Sequence, residues 1–130
     1  NATLQILEEQ PVIETIFTRG QTLMDGMDEI LTRHDIPHVV TGIPSMFSLI
    51  LGTDVPPSEF QDYAANNDDF YEALALDLVY RGVMPDSDSR EPWFMCYTHS
   101  AQDVAETLEI LDASVAHVKQ DFRKDFAFAA

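Results

Sequence analysis

Cysteine is almost absent from this 130-residue chain, in which Cys96 is the only one. A single thiol can form neither an intrachain disulfide nor a cysteine-based zinc site. The chain also lacks any apolar run close to the ~20 residues that a membrane-spanning helix needs. We therefore expect a protein of a reducing compartment, the cytoplasm.

Basic residues are scarce as well. Seven lysines and arginines stand against 23 acidic residues, which gives a formal net charge of −16. Nucleic acids and anionic membranes both attract basic surfaces, so this charge argues against either partner. The acidic residues are spread along the chain, which is typical of a solvated acidic surface rather than of a cation-binding site.

The apolar pattern predicts a small α+β domain. Three long segments have apolar residues at helical spacing: residues 11–34, residues 68–81 and the segment after Ser100. Four shorter segments are typical of strands: residues 38–41, 45–51, 83–84 and 93–97. Three helices cannot bury both faces of so small a sheet. We expect a mostly antiparallel sheet of three or four strands, with three main helices packed on one face.

Local signals set the expected bounds of these elements. Pro11 suits the first turn of the first helix, and Gly82 suits the end of the second. Ser100 and Asp103 are spaced as a capping box for the last helix. A turn is expected at residues 42–44 between the first two strands, and a short helix at residues 58–63.

The domain bounds follow from the same pattern. We interpret residues 3–124 as one small domain, in keeping with the chain length, and residues 125–130 as a loose tail. Asn1-Ala2 is interpreted as a cloning remnant, because a helical pattern begins directly after it. A chain that starts inside a helix indicates an upstream part that has been removed. We expect a C-terminal piece of a longer protein.

Four segments stand in an order and at intervals typical of one enzyme family. They are Thr3-Leu4-Gln5-Ile6-Leu7, Pro44-Ser45-Met46-Phe47, the stretch from Phe70 to Arg81-Gly82-Val83, and the passage from Glu91 to Ser100 with Asp103 after it. Together they resemble the class III aminotransferases, which use pyridoxal phosphate, and among these the glutamate-1-semialdehyde aminomutases. The sequence departs from the aminomutase pattern at Pro44, Arg90 and Cys96, so an aminotransferase of another substrate stays open.

The resemblance implies the small C-terminal domain of a fold-type I pyridoxal-phosphate enzyme. It implies the enzyme's own large cofactor-binding domain as partner, a homodimer and an amino-acid-like substrate. Such enzymes hold the cofactor through a desolvated lysine. Lys119 and Lys124, the only lysines, both lie near the end of the last helix and suit no such role. We expect this chain alone to be inactive, with no catalytic residue, cofactor or metal site of its own.

Two residues of the polar loop before the third strand are candidates for a substrate-facing rim. Arg90 can grip a carboxylate through two parallel hydrogen bonds, and Glu91 lies at the offset of the family's glutamate in this loop. The plainer interpretation of both is a solvated loop with a surface ion pair. His99, just before the Ser100 cap, is expected to support that turn.

A second interpretation of the whole chain stays open. It is a free-standing module that offers the uncovered face of its sheet to a protein partner or a ligand.

Overall fold

The computed structural model describes residues 1–122, which contain four α-helices, one 3-10 helix and three strands. In chain order they are α1 (Ala2–Glu9), α2 (Val12–Arg33), β1 (His38–Ile43), β2 (Met46–Leu51), the 3-10 helix η1 (Phe60–Ala65), α3 (Asp68–Tyr80), β3 (Trp93–Phe94) and α4 (Ala101–Asp121). The strands form an antiparallel sheet in the order β1-β2-β3, which confirms the predicted α+β class. The expected tail and Lys124 lie outside the described residues.

One face of the sheet carries the core. Phe47, Leu49 and Leu51 alternate along β2 and are at most 1% exposed. They share one apolar cluster with side chains of the three long helices, among them Met27, Leu31, Phe70, Leu74, Leu111 and Val115. Burial of each such side chain contributes roughly 1.5–3 kcal/mol. The three main helices therefore pack on one face of the sheet, as predicted.

The β1–β2 hairpin is tighter than expected. Pairing continues to Ile43 opposite Met46, so the turn consists of Pro44 and Ser45 rather than of residues 42–44. Gly42 makes this possible because its φ of 126° and its close approach to Phe47 leave no room for a side chain.

Two capping predictions are confirmed at the helix ends. The Ser100 hydroxyl accepts from the Asp103 backbone N–H over 3.1 Å, and the Asp103 carboxylate accepts from the Ser100 N–H over 2.6 Å. At the end of α3, Gly82 has a φ of 99° and donates to the Val79 carbonyl, while Val83 donates to Leu78. This pattern is a Schellman motif.

The same motif explains why the predicted strand at residues 83–84 is wrong. The Val83 N–H is used to close α3, so it does not enter the sheet, and residues 83–84 form no strand. The structure places the short helix at 60–65 as a 3-10 turn instead of at 58–63. Pro11 is the residue before α2 rather than inside its first turn.

β3 is also shorter than residues 93–97. After Phe94 only the Met95 N–H still reaches the hairpin, at the Ser45 carbonyl over 3.0 Å. The Nη1 of Arg19 in α2 then donates hydrogen bonds to the carbonyls of Tyr97 and His99, over 3.1 and 2.8 Å. Phe94 pairs with Met46, the first residue of β2, so the residues after Met95 lie beyond the hairpin turn and have no strand to pair with.

Asn1 and Ala2 take part in the fold. The Asn1 side chain accepts from the Thr3 N–H and caps α1, whose first residue is Ala2. Their interpretation as a cloning remnant stays a prediction.

An ion-pair network joins α3 to α4. Asp77 accepts from the Arg81 Nε over 2.6 Å and lies 2.9 Å from the His117 Nδ1 of α4. Partial burial raises the pKa of Asp77, but hydrogen bonds from Arg81 and His117 outweigh it and hold the pKa below its usual 3.8. A depressed carboxyl pKa stabilises the fold above that value.

We expect Asp77→Asn to lower the free energy of unfolding near neutral pH by about 1–2 kcal/mol, because a charged hydrogen-bond acceptor is lost. The difference from wild type should shrink as the pH falls from about 5 to 2, since Asp77 is protonated there in wild type too. Urea unfolding at several pH values measures it. Asp54→Asn, an exposed loop substitution with the same charge change, is the control; an equal pH dependence there would contradict the role of Asp77.

We expect Gly20→Ala to destabilise the fold by about 2–3 kcal/mol through overpacking. A Cβ at Gly20 would lie 1.8 Å from the Pro44 backbone oxygen, which cannot move without displacing the hairpin turn. Gly26→Ala in the same helix is the control. Its Cβ would meet the end of the Leu108 side chain, which can change rotamer, and the gain in helix propensity of about 1 kcal/mol offsets that contact. Thermal and urea unfolding compare the two; equal effects would contradict the close approach.

Candidate functional site

The loop of residues 85–92 is held by its own polar groups. The Asp86 carboxylate accepts from the Asp88 N–H over 2.9 Å, and the Glu91 N–H donates to the Asp88 carbonyl over 3.0 Å. The hydroxyl of Ser89, which is 4% exposed, donates to Asp68 at the start of α3 over 2.5 Å. The loop is therefore fixed to α3, and it presents its remaining side chains in defined directions.

Arg90 forms the bidentate grip that its sequence position suggested, but on a carboxylate of its own loop. Its Nε lies 2.8 Å from Asp88 Oδ1 and its Nη2 lies 2.6 Å from Asp88 Oδ2. Hydrogen bonds from the Arg90 side chain and backbone lower the pKa of Asp88 to about 2. Both side chains are exposed to solvent, at 60% and 36%. The geometry suits carboxylate recognition, with Asp88 in the position of the bound carboxylate.

The structure does not bring Arg90 and Glu91 into one cleft. Arg90 lines a polar cleft of about 370 Å³ with Asp68 and Glu72 of α3. Glu91 lines another of about 270 Å³ with Asp86 and the aromatic pair of β3. Within residues 1–122 the Glu91 carboxylate has no hydrogen-bond partner. A carboxylate of this kind, beside aromatic walls, can accept hydrogen bonds from an amino or hydroxyl group.

A third cleft was not anticipated from the sequence. It measures about 310 Å³ and lies between β3, the Schellman motif at the end of α3 and the start of α4. Its lining combines apolar side chains such as Leu23, Met84 and Ile110 with the polar side chains of His99, Asp103, Glu106 and Thr107. The His99 Nδ1 accepts from the Cys96 N–H over 3.2 Å, so this histidine supports the turn as expected. The cleft follows from the shortness of β3, for which the sequence carried no signal.

Trp93 connects the clefts to the core. Its ring stacks on Phe47 with centroids 6.3 Å apart, and its Nε1 donates to the Tyr71 hydroxyl over 3.2 Å. Burial raises the pKa of Tyr71, because the charged form of the phenol is disfavoured there. Trp93 lines two of the clefts, so both share a side chain that the core holds in place.

The described residues do not fit a pyridoxal-phosphate anchor. Lys119 is the lysine among them, and its ammonium group donates to the His34 carbonyl at the end of α2. None of the three described clefts is lined by a lysine. In the part of the chain that the structure covers, no set of three or more acidic, histidine or cysteine side chains could hold a metal ion. Over the same residues, no helix is both long enough and apolar enough to span a bilayer.

Comparison with known proteins gives one consistent result. No protein-family model matches the chain. The glutamate-1-semialdehyde 2,1-aminomutase of Thermus thermophilus is 32% identical over 111 residues, which is 85% of this chain and 26% of that protein. The FumI protein of Sphingopyxis sp. MTA144, solved in its PLP internal aldimine form, has a TM-score of 0.74 and 26% identity over 94% of this chain and 26% of its own.

The chain is a homologue of class III aminotransferases. It spans about a quarter of the length of the curated relatives it matches, in their C-terminal portion. A glutamate-1-semialdehyde aminomutase structure from Pseudomonas aeruginosa PAO1 has the same fold, with a TM-score of 0.75 and 20% identity over 84% of this chain and 24% of that one. This class III aminotransferase homologue therefore carries the loop and the three clefts on the family's C-terminal fold.

We expect the carboxyl group of Asp88 to titrate with a midpoint at about pH 2, because the hydrogen bonds from Arg90 stabilise its charged form. In Arg90→Gln the midpoint should rise towards the ordinary 3.8. NMR titration of the aspartate carboxyl groups measures both values. Arg33→Gln, which removes an equal charge elsewhere, should leave Asp88 unchanged; an Asp88 midpoint that is the same with and without Arg90 would contradict the ion pair.

Proposed function

We propose that this chain is the C-terminal small domain of a pyridoxal-phosphate-dependent class III aminotransferase or glutamate-1-semialdehyde 2,1-aminomutase. The whole enzyme transfers an amino group on an amino-acid-like substrate. The observation that carries the proposal is that the sequence match and the structural match both cover the same quarter of proteins of that kind. The full enzyme works as a cytoplasmic homodimer.

The residues described supply no anchor for the cofactor, so we assign the anchoring lysine to the large domain. Pyridoxal phosphate, when bound there, would supply the electron sink for chemistry at the substrate amine. Lys119 instead donates to the His34 carbonyl at the C-terminal end of α2. The isolated chain is therefore inactive, and its part in the enzyme is to pack on the large domain and to close the substrate side of the active site.

Glu91 and Arg90 are the residues we assign to the substrate-facing rim. Glu91 has the stronger support, because its carboxylate is without a hydrogen-bond partner among the residues described and lines a cleft together with Trp93 and Phe94. Arg90 is already engaged by Asp88, so it would bind a substrate carboxylate only by exchanging one carboxylate for another. Its exposed position makes such an exchange inexpensive in free energy.

Sequencing the complete reading frame from which the chain derives tests the proposal. We expect the polypeptide upstream of Thr3 to contain a cofactor-binding domain with a lysine anchor, and the complete protein to bind one pyridoxal phosphate per chain. A complete protein without such a domain would favour the free-standing module instead.

We expect the isolated chain to form no stoichiometric adduct with pyridoxal phosphate. After incubation with the cofactor and reduction with borohydride, peptide mass spectrometry should find only low, scattered labelling, because the Lys119 ammonium group is held by the His34 carbonyl and an anchoring lysine must be desolvated and uncharged to attack the cofactor. Lys119→Arg is the matched variant and should be labelled to the same low level. Full labelling at Lys119 that disappears in this variant would contradict the proposal that the anchor lies elsewhere.

A further inference from the structure

The third cleft is walled by four separate parts of the chain. Its apolar lining includes Leu23 of α2, Met84 after α3, Trp93 of β3 and Ile110 of α4. Leu23 belongs to the core cluster, and Trp93 and Ile110 pack against that cluster. The cleft is therefore preformed, and its volume of about 310 Å³ lies at the small end of the range of sites that bind small organic molecules.

The polar side of this cleft is acidic. Asp103 and Glu106, one turn apart on α4, line it together with His99, and none of the described residues that line it is a lysine or an arginine. Hydrogen bonds from Ser100 hold the pKa of Asp103 below its usual 3.8, so its carboxylate is charged at neutral pH. The Glu106 Oε1 accepts from the Gln102 side chain over 2.8 Å, whereas its Oε2 has no partner among the residues described.

Nearby positive charge does not neutralise these carboxylates. Arg19 acts on Asp103 through space, but it does not line the cleft, and its Nη1 donates to the carbonyls of Tyr97 and His99. The His99 Nδ1 accepts from the Cys96 N–H, and a ring nitrogen that accepts a hydrogen bond carries no proton, so the imidazole is neutral in this arrangement. The cleft therefore presents negative charge beside an apolar wall.

An apolar body that carries one positive charge is complementary to this lining. Its apolar part would remove the walls from water, and the rings of Trp93 and Phe94 attract cations as well as apolar groups. A carboxylate forms short, charge-assisted hydrogen bonds with an ammonium group. An anion would be repelled by a chain of net charge −16. A bare metal ion is not suited, since no set of three or more ligating side chains among the described residues could hold one.

We propose that the third cleft binds a small organic cation, an ammonium group on an aromatic or branched apolar body. The apolar body lies against Met84, Trp93 and Phe94, and the ammonium group lies at Glu106 and Asp103. This site goes beyond the proposed function and does not rest on it, because every wall named here belongs to this chain. It is also separate from the substrate-facing rim, whose Glu91 lines the neighbouring cleft.

Binding of phenethylamine to the 130-residue chain at neutral pH tests the class of ligand. We expect saturable binding with a Kd on the order of 1 mM, as suits so small a ligand in an open cleft. NMR titration of the backbone amides and of the Trp93 indole N–H measures it. 2-Phenylethanol, which has the ring without the charge, and ethanolamine, which has the charge without the ring, should each bind at least about tenfold more weakly.

Equal binding of ethanolamine would show only the general attraction of an acidic chain for cations and would overturn the proposal. Equal binding of 2-phenylethanol would overturn the role of the carboxylates.

Glu106→Gln and Glu109→Gln form a matched pair of variants. Each removes one carboxylate from an exposed position of α4, but only Glu106 lines the cleft. We expect Glu106→Gln to weaken phenethylamine binding about fivefold and Glu109→Gln to leave it unchanged, because contact rather than the overall field holds the ammonium group. Equal effects of the two variants would contradict the site.

Phe94→Ala and Tyr80→Ala are matched for the apolar wall. Both remove an exposed ring, at 64% and 81% exposure, and only Phe94 lines the cleft. We expect Phe94→Ala to weaken binding about threefold and Tyr80→Ala to have no effect. Circular dichroism checks that both variants keep the fold; equal effects in folded proteins would contradict the apolar contact.

Three further outcomes would assign the cleft differently. Weaker binding in Glu91→Gln, with none in Glu106→Gln, would place the ligand in the neighbouring cleft. Amide shifts at the same residues that depend on protein concentration without ligand would assign the cleft to a second copy of the chain. Binding that is lost in the complete polypeptide would show that another domain covers the cleft. Each would overturn this proposal and leave the proposed function standing, because none of them tests for a cofactor domain upstream of Thr3.

Discussion

The attachment of α2 to the turn of the hairpin and to the β3–α4 connection is the constraint on which the other features depend. Gly20 brings the helix backbone into contact with the Pro44 carbonyl, and Arg19 beside it holds the carbonyls of Tyr97 and His99. Neighbouring residues of one helix thus fix the hairpin turn and the entry to α4. The third cleft is lined by His99 and therefore lies beside this attachment, so backbone contacts as well as side-chain packing set its shape.

Charge is unevenly distributed along the chain. Several carboxylates have local partners, as in the Asp88–Arg90 pair and the Asp77 network between α3 and α4. Residues 36–53, which contain the hairpin, and residues 92–102, which contain β3, carry no acidic residue. The sheet therefore adds little to the self-repulsion of a chain with a net charge of −16.

The predictions that were confirmed concern residues whose hydrogen bonds or backbone conformation involve only neighbours a few positions away in the chain. The Ser100–Asp103 box and the Gly82 helix end are of this kind, because a capping hydroxyl or a glycine with positive φ needs only its neighbours. The strand predicted at residues 83–84 was wrong because the Val83 N–H closes α3. β3 was predicted too long because its partner β2, which lies more than 40 positions earlier in the chain, begins at Met46 beside the turn and offers nothing to pair with after Met95.

In the candidate site, too, the sequence predicted the local interaction but not the contacts between distant parts of the chain. The Arg90 grip on a carboxylate was foreseeable from residue type, and Asp88 two positions earlier was available as a partner. The separation of Arg90 and Glu91 into two clefts was not foreseeable, since Arg90 lines its cleft with Asp68 and Glu72 of α3, about 20 positions earlier in the chain.

Trp93 is the only tryptophan of the chain, and it stands where β2, β3 and α3 meet. Its indole is therefore an intrinsic fluorophore whose emission depends on the stack with Phe47 and the hydrogen bond to Tyr71. Release of the short β3 strand would shift that emission while the circular dichroism of the helices stayed constant. The molecule thus contains its own optical probe for local opening of the sheet edge, separate from global unfolding.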